Sequence, residues 1–332
     1  MRKIISVLVS FCLLVGLLSM PQTTVSAESI STRVYYKIIN RNSGKLLDVE
    51  NATNADGGNV LQSALASQVN QQWRFVATGD GYYRIVNRNS SKVLDLATNN
   101  GNVVQMPDKN EKSQQWKIVD IGGGYYKIVN RSSEKLLEVS GSSIANGGNV
   151  IQYTDNGGKN QHWYIVGLRT GNITYTLVRE ANPTADQLDA YAKIQVAMDS
   201  ALLYFNSLTN IKKNLTVYYN TSVSTADASI NGTIRFGSSR SYMTTCTAMH
   251  EIAHTVGVGQ SSGWFSLVKN GIFNGANANV ELQGITGVST DQVHGDNTHF
   301  WPYGLNYSSE VKSDADYVNQ CRIVNQMKKD GI

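Results

Sequence analysis

The chain has 332 residues, 29 basic against 25 acidic, for a formal net charge of +4, and only 16% of its residues are charged. That balance argues against nucleic acid or an anionic membrane as the main partner, and an Asn-, Ser-, Thr-, Gly- and Gln-rich surface suits neutral, hydroxyl-rich ligands. Three cysteines, with Cys12 in the N-terminal apolar stretch, exclude a disulfide-stapled miniprotein.

Arg2 and Lys3 precede an apolar run from Ile4 to Leu18, and Val25-Ser26-Ala27 supplies small residues for a signal peptidase. A membrane anchor needs about 20 apolar residues and no cleavage site. Residues 1–27 are therefore expected to be a signal peptide cleaved after Ala27, giving a secreted protein without membrane insertion. What remains is long enough for two domains.

The next segment repeats itself. Tyr35-Tyr36-Lys37-Ile38-Ile39-Asn40-Arg41 returns as Tyr82-Tyr83-Arg84-Ile85-Val86-Asn87-Arg88 and again as Tyr125-Tyr126-Lys127-Ile128-Val129-Asn130-Arg131. Each copy continues with a Leu-acid pair (Leu47-Asp48, Leu94-Asp95, Leu137-Glu138) and an Asn-Val block. Each closes on Gln-x-Trp at Trp73, Trp116 and Trp163. Short alternating segments between Asn/Gly/Ser turns predict β-strands. Three copies that close on one another remove their sheet edges and share one core, so 34–167 is expected to be a threefold all-β barrel.

This repeat with Gln-x-Trp resembles the ricin B-type lectin domain, a β-trefoil also grouped as the family 13 carbohydrate-binding modules. The resemblance implies sugar held by an acid early in each copy and a polar residue just before the Gln. Carried over by position, these are Asp48 with Asn70, Asp95 with Ser113, and Glu138 with Asn160. The family's aromatic platform falls at Ala64, Pro107 and Thr154, with Tyr153 one residue off. The third copy is expected to borrow Tyr153 as its ring; with the platform positions themselves lacking one, single sites are expected to bind weakly. The implied partners are glycans or glycoproteins.

Residues 168–172 read as a linker, and 173–332 as a second domain of α+β class. Ile173 to Val178 alternates as a strand. Thr184-Ala185-Asp186-Gln187 resembles a capping box opening a helix that runs to about Leu208. Leu215–Tyr219 and Thr233–Phe236 read as strands. A further helix carries His250-Glu251-Ile252-Ala253-His254. Residues four apart on a helix stand about 6 Å apart on one face, so both imidazoles can reach one Zn²⁺, with Glu251 beside them to act on water as the catalytic base.

Thr225 to Gly237 followed by this motif resembles the edge strand and active-site helix of metzincin-type zinc peptidases, a subgroup of the zincins. The resemblance implies a polypeptide substrate that adds to the edge strand. Where metzincins place a third ligand this chain has Gln260, and an amide is a poor zinc ligand. A distant residue is needed. His299, which opens the aromatic, proline-containing stretch Phe300-Trp301-Pro302, is the expected third ligand, with His294, Asp296, Glu310 or Gln260 itself as alternatives. Tyr303, or else Tyr307, is expected to donate a hydrogen bond to the developing oxyanion.

Cys246 lies one turn before His250, and Cys321 lies on a helix expected from Asp314 to Lys328. In an exported protein a disulfide between them is expected, with two buried free thiols as the alternative. The expected whole is a secreted zinc metallopeptidase targeted by a carbohydrate-binding trefoil. The competing class is a non-catalytic lectin or adhesin with a degenerate zincin-like half.

Overall fold

A computed structural model describes residues 30–97 and 101–332; the expected signal peptide at 1–27 lies outside them. Among the described residues the first half contains twelve strands, four per copy. They are β1 (Tyr36–Asn40), β2 (Leu46–Val49), β3 (Gly58–Ser63) and β4 (Trp73–Ala77), then β5 (Tyr83–Asn87), β6 (Val93–Leu96), β7 (Val103–Met106) and β8 (Trp116–Asp120), then β9 (Tyr125–Asn130), β10 (Leu136–Val139), β11 (Gly148–Tyr153) and β12 (Trp163–Gly167). The barrel closes because β1, from the first copy, pairs antiparallel with β12, from the last. The same bond is made between successive copies by β4 with β5 and β8 with β9. Hairpins β2–β3, β6–β7 and β10–β11 form the cap, where β3 pairs with both β7 and β11.

Strand alternation explains why this sequence closes into this barrel. Leu47, Leu94 and Leu137, Val60, Val103 and Val150, and Trp73, Trp116 and Trp163 are all fully buried in one core. Each Trp has a polar edge that needs a partner, and each indole N–H donates to the carbonyl of its own copy's Leu, 47, 94 or 137, at 2.9–3.0 Å. On the axis, Asn59, Asn102 and Asn149 form a closed ring, each amide donating to the preceding copy's side-chain oxygen.

The second half begins with β13 (Asn172–Leu177), α1 (Ala185–Leu208), β14 (Lys212–Tyr219), β15 (Ala226–Ala228) and β16 (Thr233–Phe236). Thr184 and Gln187 form the reciprocal capping box at the start of α1. The sheet order is β13-β14-β16-β15, parallel except for β15, which lies antiparallel at the edge. Then come α2 (Thr245–Thr255), α3 (Ser262–Leu267), β17 (Val268–Lys269), β18 (Ile272–Phe273), α4 (Ala276–Thr286), β19 (His294–Gly295), β20 (Phe300–Trp301) and α5 (Asp314–Asp330). Strands β17 to β20 form a second small sheet in sequence order. No helix among the described residues is long and apolar enough to cross a membrane.

The expected linker is not a loose tether. Leu168 N–H pairs with Tyr35 O, and β13 already begins at Asn172. Ile39, Leu46, Leu65 and Val166 of the trefoil belong to the same apolar cluster as the buried faces of α1, α2, α4 and α5. Lys45 pairs with Asp314 at 2.8 Å across the junction, and Arg41 donates to Ile285 O at 2.8 Å. Gly123 and Gly284 meet backbone to backbone, so closely that a Cβ on Gly123 would lie 2.2 Å from Gly284 O.

The expected disulfide is absent. Cys246 and Cys321 are both buried free thiols. Cys246 points at the carbonyls of Leu305 and Tyr307, at 3.6 and 3.8 Å, and Cys321 is enclosed in the apolar cluster. Burial pushes both thiols upward, Cys246 to about 11, which keeps them unreactive.

Candidate functional site

Helix α2 starts at the Thr244 cap, whose hydroxyl accepts from Thr247 N–H, and carries Glu251 and His254 buried and His250 half-buried. His250 Nδ1 lies 2.9 Å from Gly304 O, and His254 Nδ1 lies 2.9 Å from Val258 O. A carbonyl can only accept, so each Nδ1 carries the proton and each Nε2 a lone pair. The two Nε2 atoms face each other 3.0 Å apart. Burial first, then the neighbouring imidazole, lowers His250 to about 4, and burial lowers His254 as well. Two lone pairs at this distance repel unless a cation lies between them. Nitrogens sharing one tetrahedral zinc at about 2.0–2.1 Å would stand roughly 3.3 Å apart, so the donor set fits that ion.

His299 completes the group. Ligand atoms of His250, His254 and His299 all lie within 4.8 Å of one another, and the His299 ring stacks against His250 with centroids 5.4 Å apart. Gly259 lets it approach. Its backbone has φ +68°, and a Cβ there would sit 2.2 Å from Thr298 O, so only glycine both takes that conformation and admits the His299 loop. The turn after α2 thus holds His254 through Val258 O and His299 through Gly259. Gly304 O, on the far side of the His299 loop, holds His250. Sequence reasoning missed Gly304 O and the approach of Thr298 to Gly259, because those contacts join segments about 40 to 55 residues apart.

The alternatives lie outside this set of three, although Asp296 borders it, with Oδ2 3.6 Å from His299 Nδ1. His294 pairs with Trp301 across β19 and β20 and stacks on its ring, 6.2 Å between centroids at 7°. Asp296 caps the His299 turn, its Oδ1 accepting from Thr298 N–H at 2.7 Å and His299 N–H at 2.6 Å. Glu310 sits in a 3₁₀ turn outside the group. Tyr303 is not where it was expected. Its ring packs half-buried on the apolar cluster, and its hydroxyl, raised mainly by burial, senses Tyr125, Asp316, Arg322 and Arg41 at the junction with the trefoil. Tyr307 is exposed.

Glu251 is 5% exposed, and its Oε2 is a buried atom with no hydrogen-bond partner. Burial, with the charge of Asp227 on β15 adding to it, pushes its carboxyl up to about 8. An orphaned buried acceptor is expensive. It is the second sign, after the facing imidazoles, that this pocket is built around polar guests.

In the trefoil, the Gln of each Gln-x-Trp fastens the acid in place. Gln71, Gln114 and Gln161 donate to Asp48, Asp95 and Glu138 at 2.7–2.9 Å and also to the carbonyls of Ala64, Pro107 and Thr154. Only the first copy joins the expected pair: Asn70 Nδ2 donates to Asp48 Oδ1 at 2.7 Å and to Val49 O at 3.0 Å. Asn70 Oδ1 is left buried and unpaired. This pair lines a cleft of about 820 Å³ with Glu50, Asn51, Gln68 and Asn89. Asn89 comes from the second copy and ties the rim through Ala52 O and Asn54, both at 2.9 Å; reading each copy as self-contained hid it. Burial raises Asp48 against the hydrogen bonds of Gln71 and Asn70.

The other two pairs do not form. Ser113 offers its backbone carbonyl to Asn130 at 2.7 Å, and Asp95 is bonded instead by Gln114 and by Leu96 N–H. The longer Glu138 reaches Gln161, and Asn160 turns to Val139 O at 2.9 Å. Tyr153, at the end of β11, is half exposed.

A sequence model of the ricin-type β-trefoil lectin domain-like family matches residues 24–107 and 112–197, more than half of the chain. Among solved structures, the designed threefold-symmetric protein ThreeFoil is 51% identical over 40% of this chain and 97% of its own, with a TM-score of 0.39. The exo-β-1,3-galactanase 1,3Gal43A from Clostridium thermocellum is 38% identical over 42% of this chain and 31% of its own, with a TM-score of 0.40. A Macrolepiota procera ricin B-like lectin, solved with lactose, is 23% identical over 41% of this chain and 97% of its own, with a TM-score of 0.37. No curated protein matches the chain.

Proposed function

The chain belongs to the ricin-type β-trefoil lectin domain-like family, and on that premise we propose that it is a secreted zinc-dependent metallopeptidase held on glycans or glycoproteins by its trefoil. The observation that carries the enzymatic part is the convergence of His250, His254 and His299 around facing Nε2 atoms, beside the unpartnered buried carboxylate of Glu251. In this reading His250, His254 and His299 hold the ion, and the carbonyls of Gly304 and Val258 keep the first two in the ligating tautomer. Bound there, zinc supplies a Lewis acid that brings the pKa of water to about 7. Glu251 takes the proton of the attacking water and passes it to the leaving amine. Zinc analysis beside a peptide-hydrolysis assay tests the reading. His299→Ala is expected to weaken zinc binding on the order of 100-fold, at least as much as losing an outer-shell partner does, while His294→Ala binds zinc like the parent. The reverse pattern would move the third ligand to His294.

For the trefoil, the charged acceptor Asp48 and the unpaired Asn70 oxygen suit the vicinal hydroxyls of a sugar. With no ring at Ala64, single-site binding near the millimolar class, about 4 kcal/mol, is expected. Asp48→Ala is expected to cut retention of the full chain on a glycan array by about tenfold or more, the worth of a hydrogen bond to a charged group. Unchanged retention in Asp48→Ala together with loss in Glu138→Ala would place sugar at the third copy instead.

A non-catalytic lectin or adhesin is the competing reading. The displacement of Tyr303 from the imidazoles favours it, and it expects zinc without hydrolysis.

A further inference from the structure

Gln260 occupies the position that the metzincin resemblance gives to a metal ligand, and its side chain is committed elsewhere. Its Oε1 accepts from Ile230 N–H at 2.7 Å, and its Nε2 donates to Ala228 O at 2.7 Å. A single carboxamide thus makes the two bonds that a neighbouring strand would make.

The strand it meets is a sheet edge. Toward β16, Thr225 O accepts from Gly237 N–H and Ser229 N–H donates to Thr233 O. Alternation turns Asp227 the same way, and turns the backbone groups of Ala226, Ala228 and Ile230 outward. No strand lies beyond β15 among the described residues. Of the outward row, Gln260 takes Ala228 O and Ile230 N–H. Ala226 N–H and Ala228 N–H stay open, and Ala226 O receives only a 3.4 Å contact from Thr225 Oγ1. The row runs along the helix that carries the imidazoles, since β15 packs against α2.

Resting on the metallopeptidase reading, we propose that Gln260 is a specificity-determining residue that ends the free edge of β15 at Ala228. A polypeptide adding to this edge exchanges bonds with Ala226, accepts one more from Ala228 N–H, and meets the Gln260 amide where its ladder would reach Ile230. The substrate class that follows is a peptide with a short extended stretch at the cleft. Residues beyond Ala228 need hold no strand register and can carry bulk, such as an attached glycan.

The experiment compares the full mature chain with Gln260→Ala on one cleavable sequence lengthened residue by residue in each direction. For the parent, kcat/KM should stop rising in one direction once the added residues pass Ala228. For the variant it should keep rising there, with KM lower by roughly threefold to tenfold, the effect of a backbone hydrogen bond, at unchanged kcat. Identical length profiles overturn the proposal. So does loss of zinc in Gln260→Ala, which would make Gln260 a ligand. If the parent hydrolyses no peptide, the metallopeptidase reading fails, and the cap is judged on amide hydrogen exchange instead. Slow exchange at Ile230 in the parent and fast exchange in Gln260→Ala supports it; equal exchange overturns it.

Discussion

Glu251→Gln is expected to lower peptide hydrolysis by about 10²–10⁴-fold while zinc content stays at the parent's level. The range is that of a positioned general base. The amide keeps the size and shape of the carboxylate but cannot take a proton from water. Retention of metal follows from the geometry, because the converging nitrogens belong to His250, His254 and His299 and not to Glu251. The variant should also be at least as stable as the parent. Glu251 is buried without a partner for Oε2 and its ionised form is already disfavoured there, so an amide of the same shape, which has no charged form to bury, costs no more. Unfolding therefore cannot mimic the loss. Parallel metal analysis and a kcat measurement on the two proteins decide it. Loss of zinc with Glu251→Gln would make the carboxylate a ligand, and full activity would remove it from the mechanism.

The trefoil was legible because its physics is written three times. A single Gln-x-Trp means little, but three copies fix strand alternation, closure and the buried Trp layer at once. The α2 pair was legible because its spacing is local to one helix. The third ligand could be narrowed to His299, His294, Asp296, Glu310 or Gln260, yet the choice depends on how the turn between β19 and β20 meets the turn after α2. Strands as short as β17 to β20 leave no period to read. Tyr303 failed for the same reason. Its neighbours Tyr125 and Arg41 belong to the other half of the chain, and no local pattern announces a junction between domains.

One signal of that junction was in the repeat itself. Arg84 pairs with Asp108 and Lys127 with Asp155, but the corresponding positions of the first copy are Lys37 and Leu65. Leu65 is buried in the cluster shared with the second half, and Lys37 is left buried, lowered to about 8 by desolvation alone. An acid was replaced by an apolar residue where the corner of the barrel is covered. The break in threefold symmetry marks the covered face, and it was readable only as a mismatch until the structure supplied the cover.

That covered face sets the second large effect, which is expected at Arg322. The residue is 4% exposed on α5. Its guanidinium lies over Tyr125 at 4.8 Å and Tyr164 at 4.3 Å, donates to Gly123 O at 2.7 Å, and pairs with Glu281 of α4. One side chain thus fastens two helices of the second half to two strands and a turn of the trefoil. Arg322→Ala leaves Glu281 without its cation, Gly123 O without its donor, and a gap between two rings. Breaking a buried pair from one side costs about 3–5 kcal/mol. Because the contact bridges the halves, the loss should also uncouple them: denaturant unfolding, followed by Trp fluorescence and far-UV circular dichroism, should pass from coincident transitions in the parent to separated ones in the variant. Arg322→Lys is expected to recover only part of the loss, since an ammonium restores the charge but neither the fork to Glu281 and Gly123 nor the planar stack. A variant Arg322→Ala within about 0.5 kcal/mol of the parent, the range of ordinary surface changes, would show that the junction is held without Arg322, by its apolar cluster and the Lys45–Asp314 and Arg41–Ile285 contacts.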